Sequence, residues 1–122
     1  MKKLLKIVLV SSITLLFFSC YYDEFPEKVE VVIPPGQVVS FADDIIPIFI
    51  LDNCAQCHKP SSQNPDLTSG NEYTSLVPGY VSAGNANGSK LYTKLAVNGH
   101  RNIDAESLAL IKKWIEDGAE NN

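Results

Sequence analysis

Cys54, Cys57 and His58 fall within five residues, in the stretch NCAQCHKP that runs from residue 53 to residue 60. An apolar segment with helical spacing leads into them. About 30 residues rich in Pro, Gly, Asn and Ser lead away. So long a run of loop is unusual in a small domain unless it wraps something. Any fold must therefore end a helix at two thiols and an imidazole, and must give the following loop an object to surround.

Three helical patterns flank this feature. In SFADDIIPIFILDNC, Ile45, Ile48 and Phe49 follow i, i+3, i+4 spacing, with Asp43 and Asp44 suited to a helix N-terminus. Pro47 is harmless if the helix starts near Asp43, and a start at Ser40 predicts a kink there. In SKLYTKLAVNG, Ser89 is placed to cap, Leu91 and Leu95 share a face, and Gly99 is placed to end the helix. The last pattern, DAESLALIKKWIEDGA, has Asp104 as N-cap and Gly118 past its end. Its apolar stripe is Leu108, Ile111 and Ile115, widened by Trp114. The folded domain should cover residues 40–120. About 80 residues make a small hydrophobic core, and a large apolar cofactor would help to fill it.

The chain has 122 residues, and its N-terminus accounts for some of them. Lys2, Lys3 and Lys6 precede the apolar run Ile7–Phe18, then Ser19 and Cys20. That is the layout of a secretory signal peptide, and the run is too short to span a bilayer. LFFSC resembles the lipobox of a bacterial lipoprotein, with Phe17 where Leu is usual. The resemblance implies a signal peptide over residues 1–19 and a lipid on Cys20, with ordinary secretion as the alternative. Residues 20–39, with Pro26, Pro34, Pro35 and Gly36, read as a flexible tether. Loss of residues 1–19 takes Lys+Arg from 10 to 7 against 14 Asp+Glu. That balance argues against nucleic acid or an anionic lipid surface as partner. It is compatible with a soluble partner carrying a positive patch, or simply with solubility.

Three chemistries use such a triplet. Structural zinc wants four ligands, commonly in two pairs, and this chain has a single CxxC with only His58 and His100 besides. A thioredoxin-like dithiol opens a helix after a strand, whereas this motif follows a helix and no βαβ pattern surrounds it. Covalent haem fits best. C-x-x-C-H is the recognised attachment pattern for c-type haem: two thiols add across two vinyl groups and His58 reaches the iron. The export signal agrees, because this haem is attached outside the bacterial cytoplasm.

FADDIIPIFILDNCAQCHKP, PDLTSGNEYTSLV, GSKLYTKL and LALIKKWIEDGA together resemble the monohaem class I cytochrome c domains of bacterial lipoproteins. The resemblance covers nearly all of residues 41–119. It implies an all-α, small cytochrome c-like fold in which the N- and C-terminal helices cross and long loops wrap one covalent haem c. Phe49 or Ile48 would then meet Trp114 or Leu110 at the crossing, and His58 would donate its other ring N–H to a backbone carbonyl such as that of Pro60. Cys54, Cys57 and His58 would bind the cofactor. This family usually places a Met on the far side of the iron, and the only Met here is Met1. The corresponding region, AVNGHRNID, holds His100, which makes His58 and His100 the expected iron ligands. An open position, Lys90 and Lys94 are the alternatives.

The function expected is one-electron transfer, with no catalytic residues and no enzyme activity. Partners would be other redox proteins or a membrane respiratory complex. The alternative is a haem-based small-ligand binding or sensing module, or a weak peroxidase, with an open sixth position. Localisation should be the periplasmic side or the cell surface of a diderm bacterium. Membrane attachment would run through the lipid on Cys20, and Asp23 and Glu24 point to the outer membrane.

Overall fold

A computed structural model of the chain describes residues 31–122, which are helical with no strand among them. The expectations for residues 1–19, for Cys20 and for the first half of the tether lie outside these residues. Among the described residues, no helix is long and apolar enough to cross a membrane.

The first helix begins with a π-helical turn, Phe41–Ile45, and continues as α1, Ile46–Leu51. Proline explains the widened turn. Pro47 has no N–H, and its ring would clash with the carbonyl four residues back. In the wider turn the Ile45 and Ile46 amides reach back five residues, to Ser40 at 3.2 Å and to Phe41. Ser40 is the N-cap, so the helix starts at the earlier of the two sites the sequence allows. The expected kink takes the form of this widened turn. The first amides of a helix have no partner inside it. Here the Ser40 N–H donates to Asp44 Oδ2 (2.7 Å) and the Phe41 N–H to Asn122 Oδ1 (2.8 Å). The Ala42 N–H donates to the Asn122 carbonyl (3.0 Å) and the Asp43 N–H to Ser40 Oγ (3.2 Å). The last residue thus caps the first helix.

A 3₁₀ turn, Cys54–Gln56, follows α1. Within the expected loop lies a short helix, α2, Glu72–Leu76. Then come α3, Lys90–Ala96, and α4, Ala105–Glu116. Asp104 caps α4 as the sequence predicts, accepting from the Ser107 N–H at 2.9 Å and from its hydroxyl at 2.7 Å. Gly118, with φ at +117°, ends the helix, and the Ala119 N–H returns to the Trp114 carbonyl at 2.8 Å.

Ser89 departs from expectation. It precedes α3 but makes no side-chain cap. Its buried hydroxyl accepts from the Ser82 N–H (2.9 Å) and donates to the Asn85 carbonyl (2.8 Å), pinning the turn ahead of the helix.

The core joins Ile45, Ile48 and Phe49 to Ile111, Trp114 and Ile115, with Leu76, Val81 and Leu95 from the middle of the chain. The first helical segment packs on α4 through Phe41. Its ring centre lies 5.0 Å from that of Trp114 and 5.2 Å from that of Tyr73, the latter edge-on. Phe41, rather than one of the residues named from the resemblance, supplies the aromatic contact with Trp114. Val39 is buried in the same core, and Val31, Val32 and Ile33 line a groove with α3 and α4.

Candidate haem site

The triplet is set by one turn of backbone. Asn53 takes a left-handed conformation (φ +51°) that ends α1 and redirects the chain. The Cys57 and His58 amides then both donate to the Cys54 carbonyl, at 3.2 and 3.0 Å. Both thiols and the imidazole therefore ride on a single turn. The loop folds back onto it: the Gln63 N–H donates to the Cys57 carbonyl (3.3 Å) and the Leu67 N–H to the His58 carbonyl (2.9 Å).

Cys54, Cys57 and His58 open onto a cavity of about 630 Å³, within the range of small-molecule and cofactor sites. Much of its lining is apolar, with Ile48 and Phe49 from α1, Leu67 and Leu76 from the middle loop, and Leu95 and Ile103 from the α3–α4 side. His100 also faces this cavity. Its backbone N–H donates to the Lys94 carbonyl at 3.1 Å, across the left-handed turn at Gly99 (φ +57°). The structure thus brings together all four residues singled out in the sequence. The ring centres of His58 and His100 are 5.9 Å apart, with the rings at 74°.

His58 Nδ1 is buried and has no hydrogen-bond partner. The hydrogen bond expected to the Pro60 carbonyl is not made; Pro60 is exposed, and it is Pro65 that lines the cavity beside His58. A buried polar atom without a partner is uncommon; this is the ring nitrogen expected to act as the donor, so its lack of a partner does not by itself point to a ligand. Burial pushes the Cys54 thiol above its ordinary value; the nearby Asp52 adds to the shift and Arg101 opposes it. Cys57 is exposed, and both cysteines are free thiols. Among the described residues, no three His, Cys, Asp or Glu side chains converge closely enough to hold a single ion.

The charge of this wall reverses that of the chain. Lys90, Lys94 and Arg101 line the cavity and no Asp or Glu does, although acidic residues outnumber basic ones 14 to 10. A partner meeting this face would meet positive charge. Leu76, Tyr80 and Pro65 are wall residues that the sequence reading missed. Leu76 and Tyr80 had a faint signal, as apolar residues in an otherwise polar loop.

No protein-family model, curated protein or solved structure matches the chain.

Proposed function

We propose that the chain is a one-electron carrier built around one covalently attached c-type haem, on a small cytochrome c-like helical fold. The observation that carries this reading is the single cavity flanked by Cys54, Cys57 and His58, with the His100 ring 5.9 Å from that of His58. Cys54 and Cys57 would hold the group through thioethers, each formed by adding S–H across a vinyl group with no electrons lost. Haem supplies reversible one-electron chemistry at its iron. This chain's own residues bind it, cover its apolar faces with Ile48, Phe49, Leu67 and Leu95, and present His58 and His100 as the iron's two protein ligands. With both positions taken, no substrate reaches the iron, and we assign no catalytic residue. Lipid on Cys20 would tether the domain outside the cytoplasm, within reach of other redox proteins or a respiratory complex.

A second reading draws support from the exposure of His100 and from its lone backbone bond to Lys94. If His100 stands off the iron, the site is open to small ligands.

The test is coexpression of the full chain with a haem-attachment system, followed by ferric and ferrous spectra. Electron transfer requires covalent haem that is low-spin, lacks a methionine–iron charge-transfer band and resists CO. His100→Ala should then become high-spin and bind CO. High-spin wild type, unchanged by His100→Ala, would favour the open site. Absence of covalent haem would overturn both readings.

A further inference from the structure

We infer that Lys90, Lys94 and Arg101 form an anion-binding wall for the two carboxylates of a largely apolar ligand; resting on the reading above, these are the propionates of haem. The first support is an asymmetry. Residues 31–122 contain six Lys and Arg, and three of them line this one cavity, which has no carboxylate in its wall. Lys112 and Lys113 are paired with Glu116 and Asp117 on α4, whereas Lys90, Lys94 and Arg101 have no ion-pair partner among the described residues. The second support is placement. Lys90 and Lys94 are one turn apart on α3, and the Lys90 ammonium stands 5.6 Å from the centre of the Tyr80 ring, which also lines the cavity. Arg101 follows His100, whose amide is tied back to Lys94. One helix and the loop after it therefore deliver all three cations to one wall. The third support is energetic. Like charges at i, i+4 on a helix destabilise it by a few tenths of a kcal/mol. An anionic occupant turns that repulsion into attraction. A cavity with apolar walls and one cationic side suits an amphiphile rather than a free inorganic anion.

Two measurements test the assignment. In the holoprotein, the midpoint potential of wild type and of K90Q/K94Q/R101Q is followed from about pH 5 to pH 9, the range in which a buried carboxylate would titrate. Three cations near a ligand stabilise its reduced, less positive form, so their removal should lower the potential. At fixed ambient potential the reduced-to-oxidised ratio should fall about tenfold, or ~59 mV for one electron. Carboxylates left without partners should also begin to take up a proton with the electron. The wild-type profile should be flat, and that of the variant should fall with rising pH. Unchanged potential and profile, with slower low-salt reaction toward an acidic redox protein, would overturn the assignment and give the cations to a docking partner.

The second measurement is independent of covalent attachment. Zinc protoporphyrin IX and its dimethyl ester are titrated into the full chain isolated without haem. The diacid should bind about tenfold more tightly, and K90Q/K94Q/R101Q should abolish the preference. Equal affinity for diacid and diester in the wild type would overturn the assignment, even if the haem reading stands. A wild type that prefers the diacid but takes no covalent haem in coexpression would retain the assignment and overturn the functional reading.

Discussion

Phe41→Ala should cost the domain about 4 kcal/mol. The residue is 2% exposed, and burying and then deleting a Phe side chain costs about 3–5 kcal/mol once the residual cavity is included. The ring also makes two aromatic contacts, at 5.0 Å with Trp114 and at 5.2 Å with Tyr73, each worth about 0.5–1.5 kcal/mol beyond area burial. These contacts put the value in the upper half of the range. Domains of this size lose about 4–8 °C of Tm per kcal/mol, so the melting point should drop by roughly 16–32 °C. That is a large part of the 5–15 kcal/mol typical of a whole domain. Phe41→Leu, which keeps the site apolar but loses both aromatic contacts, should cost about 1–3 kcal/mol and guards against a variant that fails to fold. Far-UV circular dichroism during denaturant unfolding is the assay, because haem would quench the emission of Trp114. A double-mutant cycle with Trp114→Leu should give a coupling of about 0.5–1.5 kcal/mol. A loss below about 1 kcal/mol for Phe41→Ala, or a coupling near zero, would refute the claim that this ring fastens the helix leading to Cys54 onto α4.

The other predictions concern polar groups and the thiols. Ser89→Ala should destabilise by about 1–3 kcal/mol, because it strips partners from the Ser82 amide and the Asn85 carbonyl in a buried turn; chemical denaturation with an unchanged m-value would check this. Asp104→Ala should cost roughly 0.5–1 kcal/mol, the low end of the N-cap range for an exposed cap. Hydrogen bonds from the Ser107 amide and hydroxyl hold the Asp104 carboxyl below its ordinary value of 3.8. Its contribution should therefore be complete above that value and be lost as the pH falls through the lower folded-state pKa, so the wild-type–variant difference in Tm should shrink only in acid. Cys54→Ala/Cys57→Ala should release haem into acidified organic solvent where wild type retains it, and should broaden the thermal transition.

What could be read from the chain was whatever its neighbours in sequence decide. Asp104 and Gly118 bracket α4 as expected because a cap needs only the residues three or four positions away. Ile45, Ile48 and Phe49 are buried where their spacing puts them, since periodicity alone selects a face. The Cys54–Cys57–His58 turn and the wall position of His100 followed from the motif and from the order of the segments. Long-range partners were not legible. Phe41 lies just ahead of the apolar pattern and finds Trp114 at the other end of the domain. Asn122 caps a helix that begins 82 positions earlier. Ser89 reads as a cap because it precedes a helix, yet a buried position offers its hydroxyl two backbone partners on the preceding turn. The five residues of α2 are too few to show a period, and Glu72 is buried there with its carboxylate accepting from the Gly70 N–H at 2.7 Å.

The cavity itself explains why about 80 residues include so much loop. The cavity, about 630 Å³ and partly open to solvent, is apolar over much of its wall and cationic on one side. A flat ligand, apolar across its faces and anionic at one edge, would match both the apolar wall and the cationic side. Thioethers to Cys54 and Cys57 would make that filling permanent. The loop between the triplet and α3 would then have an object to pack on: Leu67, Leu76 and Tyr80 line the cavity, while Tyr73, Val77 and Val81 pack on the protein core. On the proposed reading, part of the core of this small domain would be cofactor rather than protein.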